Sequence, residues 1–438
     1  MSWKTLEYTG WGRVHRATGE VARPERNSAL LRTLSEQPAP AIGNRRSYGD
    51  ASLNDGGRAI DMTRMDRILG FDPETGLLHV EAGCTIGQLV RAFAPKGWLP
   101  PVMPGTGFAT VGGCIAQDVH GKNHHHAGSF GQHVKSLTLM TGDKAETVLS
   151  TENGTRFRAT VGGIGQTGVI ADAKLRMLKA KGDVMIVTER RVEGLDQHLA
   201  LLDASEATYT VGWIDATATG TDLGRGILEE GETGAGLVPA PKKARAVPMD
   251  APAFALAPGM VRTFNAAYYR RVPTQGRTVV KPIYDFFFPL DRIHDWNRLY
   301  GKSGFHQFQC VLPLDEKDAL RKMLTDIGRA GTASPLAVLK RMGPGRAGML
   351  SFPMEGYTLA VDFPNRSAAE KVIKRLEAMT AEARGRIYLA KDALASGETI
   401  KAMYPEWPEW REAANEVDPD GALKTDMVRR LELREPAA

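Results

Sequence analysis

The sequence predicts an α+β protein in two domains, on three observations. At 438 residues the chain is longer than a single hydrophobic core usually accommodates. Its first third is rich in glycine and in short strand-like runs. Its second half interleaves strand-like and helix-like segments, the pattern of an antiparallel sheet carrying helices.

A first helix is expected where Arg23-Pro24-Glu25-Arg26-Asn27-Ser28 leads into residues 29–34, with Pro38-Ala39-Pro40 closing it. Residues 59–62 and 77–82 read as short strands. The second of these passes through Gly83 into a helical run over 85–94, ended by Pro95 and Gly97. Residues 134–149 read as a hairpin about Thr141-Gly142-Asp143, and 170–178 as a further strand. Residues 216–262 combine Thr/Gly repeats, Pro, Ala and the pair Lys242-Lys243, which reads as long loops over or beside a site. Strands are then expected over 283–288, 305–312 and 358–363, and helices over 316–330 and 368–381. The tail, 402–433, reads as helical and charged around Asp418-Pro419-Asp420-Gly421.

Composition removes several classes of protein. Hydrophobic residues at 42% with charged residues at 24% give an ordinary globular balance, which argues against disorder. Every apolar stretch is broken by charge or proline within about ten residues, too short for a membrane-spanning helix. Met1-Ser2-Trp3-Lys4-Thr5-Leu6-Glu7 has no apolar run suited to a secretory signal. Cys84, Cys114 and Cys310 form no Cys-x-x-Cys pair, and three thiols make no disulfide framework, so a reducing, cytoplasmic location is expected. The net charge of +5 is small and dispersed. That argues against nucleic acid as a partner and leaves an anionic substrate or a membrane surface open.

Three glycine-rich segments stand out. The first is Gly43-Asn44-Arg45-Arg46-Ser47-Tyr48-Gly49-Asp50. The second runs from Pro104-Gly105-Thr106-Gly107 through Thr110-Val111-Gly112-Gly113 to His120-Gly121-Lys122-Asn123. The third is Val161-Gly162-Gly163-Ile164-Gly165-Gln166-Thr167-Gly168. Glycines let backbone N–H groups approach a pyrophosphate, and successive amides in a turn form an anion nest. Any one segment could equally be a tight turn. The third matches G-x-G-x-x-G, but it runs into a strand instead of opening a helix, which argues against a nicotinamide site.

Polar residues elsewhere carry further candidates. His120, His124, His125 and His126 raise the question of a metal. Consecutive side chains point apart, however, and no carboxylate or thiol lies nearby at ligand spacing, so no metal is expected. Gln307-Phe308-Gln309 places two amides on one face of a strand. Lys122, Lys340 and Lys391 could each be a solvated surface lysine or a site residue. Cys114 and Cys310 suit small core positions better than nucleophiles.

Together, in this order and spacing, these segments resemble the FAD-binding domain of the vanillyl-alcohol oxidase/p-cresol methylhydroxylase superfamily. Within it they resemble the decaprenylphosphoryl-β-D-ribose 2′-oxidase family. The shared-looking stretches include Arg46-Ser47-Tyr48-Gly49-Asp50, Pro104-Gly105-Thr106, Val111-Gly112-Gly113 and His120-Gly121-Lys122-Asn123-His124-His125. They continue with Ala127-Gly128-Ser129-Phe130-Gly131, Ala390-Lys391-Asp392 and Arg429-Arg430-Leu431-Glu432-Leu433. The likeness spans nearly the whole chain and is loosest across 181–280.

The resemblance implies a two-domain flavoenzyme. Residues 1–180 would form the first part of an FAD-binding domain, 181–385 a cap or substrate domain with an antiparallel sheet and helices, and 386–438 a segment returning to the FAD side. By resemblance the cofactor is held by Gly43, Asn44, Arg45, Arg46, Ser47, Tyr48, Gly49, Asp50, Gly105, Thr106, Thr110, Val111, Gly112, Gly113, Gln117, His120, Gly121, Ile170 and Tyr388. Several relatives attach the flavin through a histidine where this chain has Arg46, which cannot do that chemistry, so FAD is expected to be non-covalent. The implied reaction is hydride transfer from a secondary alcohol of a sugar to the flavin N5. Lys391, His120 and Tyr48 would be catalytic, and Lys122, Gln307, Gln309 and Lys340 would bind substrate. A buried lysine loses part of its affinity for a proton and can manage that of the alcohol.

The implied substrate is a polyprenylphosphoryl pentose oxidised at its 2′-hydroxyl, in cell-wall synthesis. A short-chain reductase would act on the keto product, and the protein would be peripheral at the inner membrane face. Residues 253–258 with Met260-Val261 would offer apolar surface, and Lys242, Lys243 and Arg245 an attraction to anionic lipid. The alternative within the superfamily is a soluble alditol or aldonolactone oxidase. Rivals of other classes are a metal hydrolase built on the histidines and a basic polyanion-binding module. Flavin absorbance of the purified protein separates both from the first pair.

Overall fold

The computed structural model describes residues 3–142, 144–150, 154–239 and 243–434. Asp143 of the expected hairpin turn and Lys242 of the basic cluster lie outside them.

Two sheets occupy the N-terminal part. In the first, Lys4–Thr9 pairs antiparallel with Arg16–Ala22, and Arg58–Asp61 and Ala41–Ile42 continue it in parallel. The second is an antiparallel five-stranded sheet in the order Ile68–Asp72, Leu77–Glu81, Val169–Arg176, Val134–Thr141, Lys144–Leu149. Helix Ile86–Phe93 starts where Thr85 and Gln88 form a capping box, each side chain satisfying the other's backbone N–H. Helix Val111–Ala116 is capped by Thr110, and its Gly112 lies so close to Ala82 that a Cβ would come within 2.9 Å of that methyl. Glycine is required there for helix and strand to touch.

The remaining sheet is antiparallel and eight-stranded. Its order is Arg277–Pro282, Val184–Val192, Gly226–Gly234, Tyr209–Ile214, Ala337–Met342, Gly356–Pro364, Phe305–Leu312, Arg386–Ile387. Helices Leu195–Ala204, Lys317–Ala330 and Ser367–Glu382 bury their apolar stripes against one face of it. Strand alternation then sorts the residues. Phe308, Cys310, Ala337, Leu339, Leu359, Val361 and Phe363 enter that core, while Gln307, Gln309, Val338, Lys340, Thr358 and Ala360 face the other way, into a cavity. The α+β class and the antiparallel sheet with helices are thus as the sequence predicts.

Three expectations need correction. Residues 283–288 are not a strand: Ile283–Phe287 is a short helix, followed by a 3-10 turn Pro289–Arg292. A buried apolar run has no period that separates strand from helix, and here Pro282 and Pro289 bracket one helical turn. The stretch 216–262 is not wholly loop, since it contains strand Gly226–Gly234 and the start of helix Pro258–Arg270. That strand is poor in β-formers and exists because Val184–Val192 pairs with it along its whole length and Tyr209–Ile214 pairs with residues 226–231 on its other side. The tail is three short helices, Gly397–Met403, Trp407–Val417 and Asp426–Arg430, broken around Asp418–Gly421.

The tail packs back on the first glycine loop. Arg430 pairs with Asp50 at 2.7 Å and with Asp392 at 2.8 Å, the Asp426 amide donates to Leu53, and the Tyr48 amide to Ala390. Among the described residues, no helix is long and apolar enough to cross a membrane.

Candidate active site

A cavity of about 1250 Å³ lies between the first two glycine loops and the open face of the eight-stranded sheet. That exceeds the roughly 300–1,000 Å³ of an ordinary small-ligand site.

The loop wall is built from backbone. Leaving strand Ala41–Ile42, the chain turns at Arg45, a non-glycine residue held at φ 49°. Among the described residues, the amide N–H groups of Asn44, Arg45, Arg46 and Ser47 have no acceptor, which leaves four consecutive donors at the cavity wall. The Arg46 guanidinium is gripped by Trp11 at 4.1 Å and Phe108 at 4.6 Å, with its buried Nε unpaired. Burial lowers its pKa. Gly43, Gly105, Thr106, Thr110 and Gly113 complete this wall, and Ile164 and Gly165 of the third glycine segment also reach it. Asp291 fastens the second loop, accepting from the Thr106 hydroxyl and the Gly107 amide at 2.7 Å each.

The sheet wall is built from side chains. His120 packs against the stacked rings of Phe352 and Tyr388, at 5.4 and 5.2 Å. Its Nε2 is 3.0 Å from Gln309 Nε2, which also donates to the Thr358 hydroxyl at 3.1 Å. An amide nitrogen only donates, so His120 Nε2 is the acceptor and its hydrogen sits on Nδ1. That buried Nδ1 has no partner among the described residues, and burial holds the ring neutral by driving its pKa well below 6.5. Tyr388 and Gln117 meet at 3.5 Å, hydroxyl to carbonyl, on the same wall.

Three amines converge there. Lys391 Nζ sits 3.6 Å above the Tyr48 ring and has no hydrogen-bond acceptor among the described residues. Lys340 Nζ is 3.5 Å from the Gly121 carbonyl. Lys122 Nζ donates to Phe286 O at 2.5 Å and lies 3.9 Å from that ring. Burial lowers all three, Lys340 to about 7 and Lys122 to about 8, and the charge of Lys122 further depresses Lys340 as that of Lys340 depresses Lys391. Amines so tuned exchange protons near neutral pH.

Most of the expected site residues meet in this one cavity. Gly49, Asp50, Val111, Gly112 and Ile170 do not line it. Asp50 is committed to Arg430, the amides of Val111 and Gly112 donate to Cys84 and Ala82, and Ile170 is buried where its strand pairs with Leu139. His124 accepts from the Gly343 amide and His125 contacts the Ala207 carbonyl. Among the described residues no His, Cys, Asp and Glu side chains are grouped to hold a metal. All three cysteines are buried, with Cys84 and Cys310 pushed up to about 12.

Sequence reading missed Trp11, Phe108, Asp291 and Asp362. Only Asp362 carries a signal in the sequence: a carboxylate between Val361 and Phe363 interrupts an otherwise apolar strand.

Two family models match. Residues 20–148 match the FAD binding domain and residues 359–431 match D-arabinono-1,4-lactone oxidase. The residues present fit FAD: free consecutive amides in the first glycine loop, an orphaned Arg46 Nε and an orphaned His120 Nδ1 all border the cavity. The protein is an FAD-dependent oxidoreductase of the two-domain p-cresol methylhydroxylase type. Decaprenylphosphoryl-beta-D-ribose oxidase of Mycolicibacterium smegmatis is 37% identical to it over 98% of both chains. An uncharacterized Streptomyces coelicolor protein is 33% identical over 80% of this chain and 100% of its own. L-gulono-1,4-lactone dehydrogenase of Mycobacterium tuberculosis is 21% identical over 95% and 96%. The chain belongs to the decaprenylphosphoryl-β-D-ribose oxidase family.

Proposed function

We propose that the protein oxidises the 2′-hydroxyl of a polyprenylphosphoryl pentose to the ketone. The observation that carries this reading is the continuity of the cavity. It passes from the glycine loops, past His120 and the three amines, to Tyr268 of helix Pro258–Arg270 and to Arg271, the residue that caps that helix. That helix and the turn before it leave Phe254, Met260 and Phe264 exposed at 70%, 57% and 53%. A sugar, an anionic phosphodiester and an apolar tail would meet suitable chemistry in that order.

In this reading residues 1–180 and 386–438 hold the cofactor, and 181–385 cap it. Bound FAD would supply the hydride acceptor. Lys391 takes up or shares the hydroxyl proton, with Tyr48, His120, Gln307 and Gln309 orienting the sugar, while Lys122 and Lys340 face the phosphate. The exposed apolar residues, with Lys243 and Arg245 exposed nearby in sequence, favour peripheral docking on an anionic inner membrane face. A short-chain reductase would consume the keto product.

One observation favours a second reading, an oxidase of free alditols or aldonolactones: the match of residues 359–431 to D-arabinono-1,4-lactone oxidase. Comparing kcat/KM for a prenylphosphoryl ribose with free ribose, arabinitol and xylitol tests both. The lipid-linked sugar is expected to win, and preference for any free polyol would replace the first reading by the second.

A further inference from the structure

Asp362 lies on strand Gly356–Pro364, in register with Gln307 and on the same face as Thr358 and Ala360, yet behind the cavity wall. It is completely buried. Gln307 Nε2 donates to one carboxylate oxygen, and the Tyr300 hydroxyl, itself 2.8 Å from Ser334 Oγ, donates to the other at 3.2 Å. Among the described residues no cation is within ion-pair distance of it. Gln307 also reaches the Tyr48 hydroxyl, on whose ring Lys391 rests. A buried carboxylate without a paired cation is destabilising, and packing alone would be served by an apolar residue. Lys391, whose charge acts on Asp362, has no hydrogen-bond acceptor of its own among the described residues.

We propose that Asp362 is a positioning residue for the oxidation, acting through Gln307 and Tyr48 to hold Lys391 in place and to set how readily it gives up its proton. The proposal rests on the reading of Lys391 as the group that manages the alcohol proton. Charge supports it: burial lowers Lys391 and raises Asp362, and each pulls the other back. The other groups facing Lys391 are Lys340 from the neighbouring strand, His120 from the second loop and Tyr48 beneath it. Lys122 acts on Lys340, and Arg46 on Tyr48. Among the described residues, Asp362 is therefore the one anion whose charge acts on the amine, opposing that of Lys340. Removing its charge leaves Lys391 deprotonated to lower pH.

The test is the pH profile of kcat and KM for the holoenzyme with a prenylphosphoryl ribose. In Asp362→Asn, the limb along which kcat rises with pH should move down by about one unit, the size of a single neighbouring charge. KM should stay within about threefold, and Asp362→Glu should restore the limb. Tyr300→Phe removes one donor to the carboxylate outside the cavity while keeping its ring stacked on Phe305 at 4.0 Å, so it covers the case in which Asp362→Asn does not fold. It should move the limb the same way by less. In a Lys391→Ala background neither change should shift the remaining profile. A merely structural Asp362 would lower flavin content or Tm and leave the limb where it was, overturning the proposal. Near wild-type turnover in Lys391→Ala would break the underlying reading instead.

Discussion

The loop wall presents the free backbone N–H groups of residues 44–47, whereas the wall on strands Phe305–Leu312, Ala337–Met342 and Gly356–Pro364 presents side-chain amides and amines. Backbone donors do not titrate, and their direction is fixed by glycine and by the fold. They suit a ligand that must stay bound whatever the pH. The side-chain groups are buried cations and a neutral imidazole whose charges are poised near neutrality. They suit a ligand that gains and loses a proton on every turnover. One cavity therefore combines a chemically inert grip with a reactive face.

The contrast is broken or sharpened by substitutions on the reactive face. Lys391→Ala should lower kcat/KM by roughly 10²-fold or more, the lower range for a general acid–base group, with FAD content unchanged. Equal loss of flavin and turnover would erase the distinction between the walls.

A smaller effect is expected for stability at Lys340. Its folded pKa of about 7 lies below the ordinary lysine value, so between about pH 7 and 10 the unfolded chain holds the extra proton. Stability contributed by this site is therefore full above the unfolded value and is lost as pH falls toward 7. Lys340→Met should raise Tm by about 2 °C or more at pH 6 and flatten the difference between pH 6 and pH 9. An unchanged slope in thermal melts would mean that Lys340 is solvated in the folded protein.

The smallest expected effect is none at all. Arg46 offers no ring nitrogen for a covalent bond to the flavin, so acid precipitation should release all yellow chromophore to the supernatant. Colour in the washed pellet would give the loop wall a chemical role that backbone amides do not have.

The same contrast explains what could be read from the sequence. The loop wall was legible because Gly43, Gly105 and Gly113 line it and the spacing of glycines survives as text. On the sheet wall, Gln307 and Gln309 were visible through their period of two, which also carried Phe308 and Cys310 into the core. Lys340 and Lys391 were visible only through likeness to relatives, because a lone lysine in a sequence looks the same buried or solvated. Asp362 draws its meaning from Gln307 and Tyr300, on other elements, so nothing local announced it beyond its apolar neighbours. The segment 283–296 closes the cavity as a helix and turns because Pro282 and Pro289 interrupt an apolar run that otherwise suits a strand.

The pairing of Arg430 with Asp50 spans 380 residues. At synthesis rates of about 5–20 residues per second, the first glycine loop leaves the ribosome roughly 20–80 s before the arginine that clasps it. Throughout that interval Asp50 is without its cation and Tyr48 without the Ala390 carbonyl that receives its amide. In the proposed reading, cofactor capture by this loop therefore belongs to the end of the chain's assembly, and a chaperone or a slow codon acting on the middle of the message would lengthen the wait without altering the finished protein.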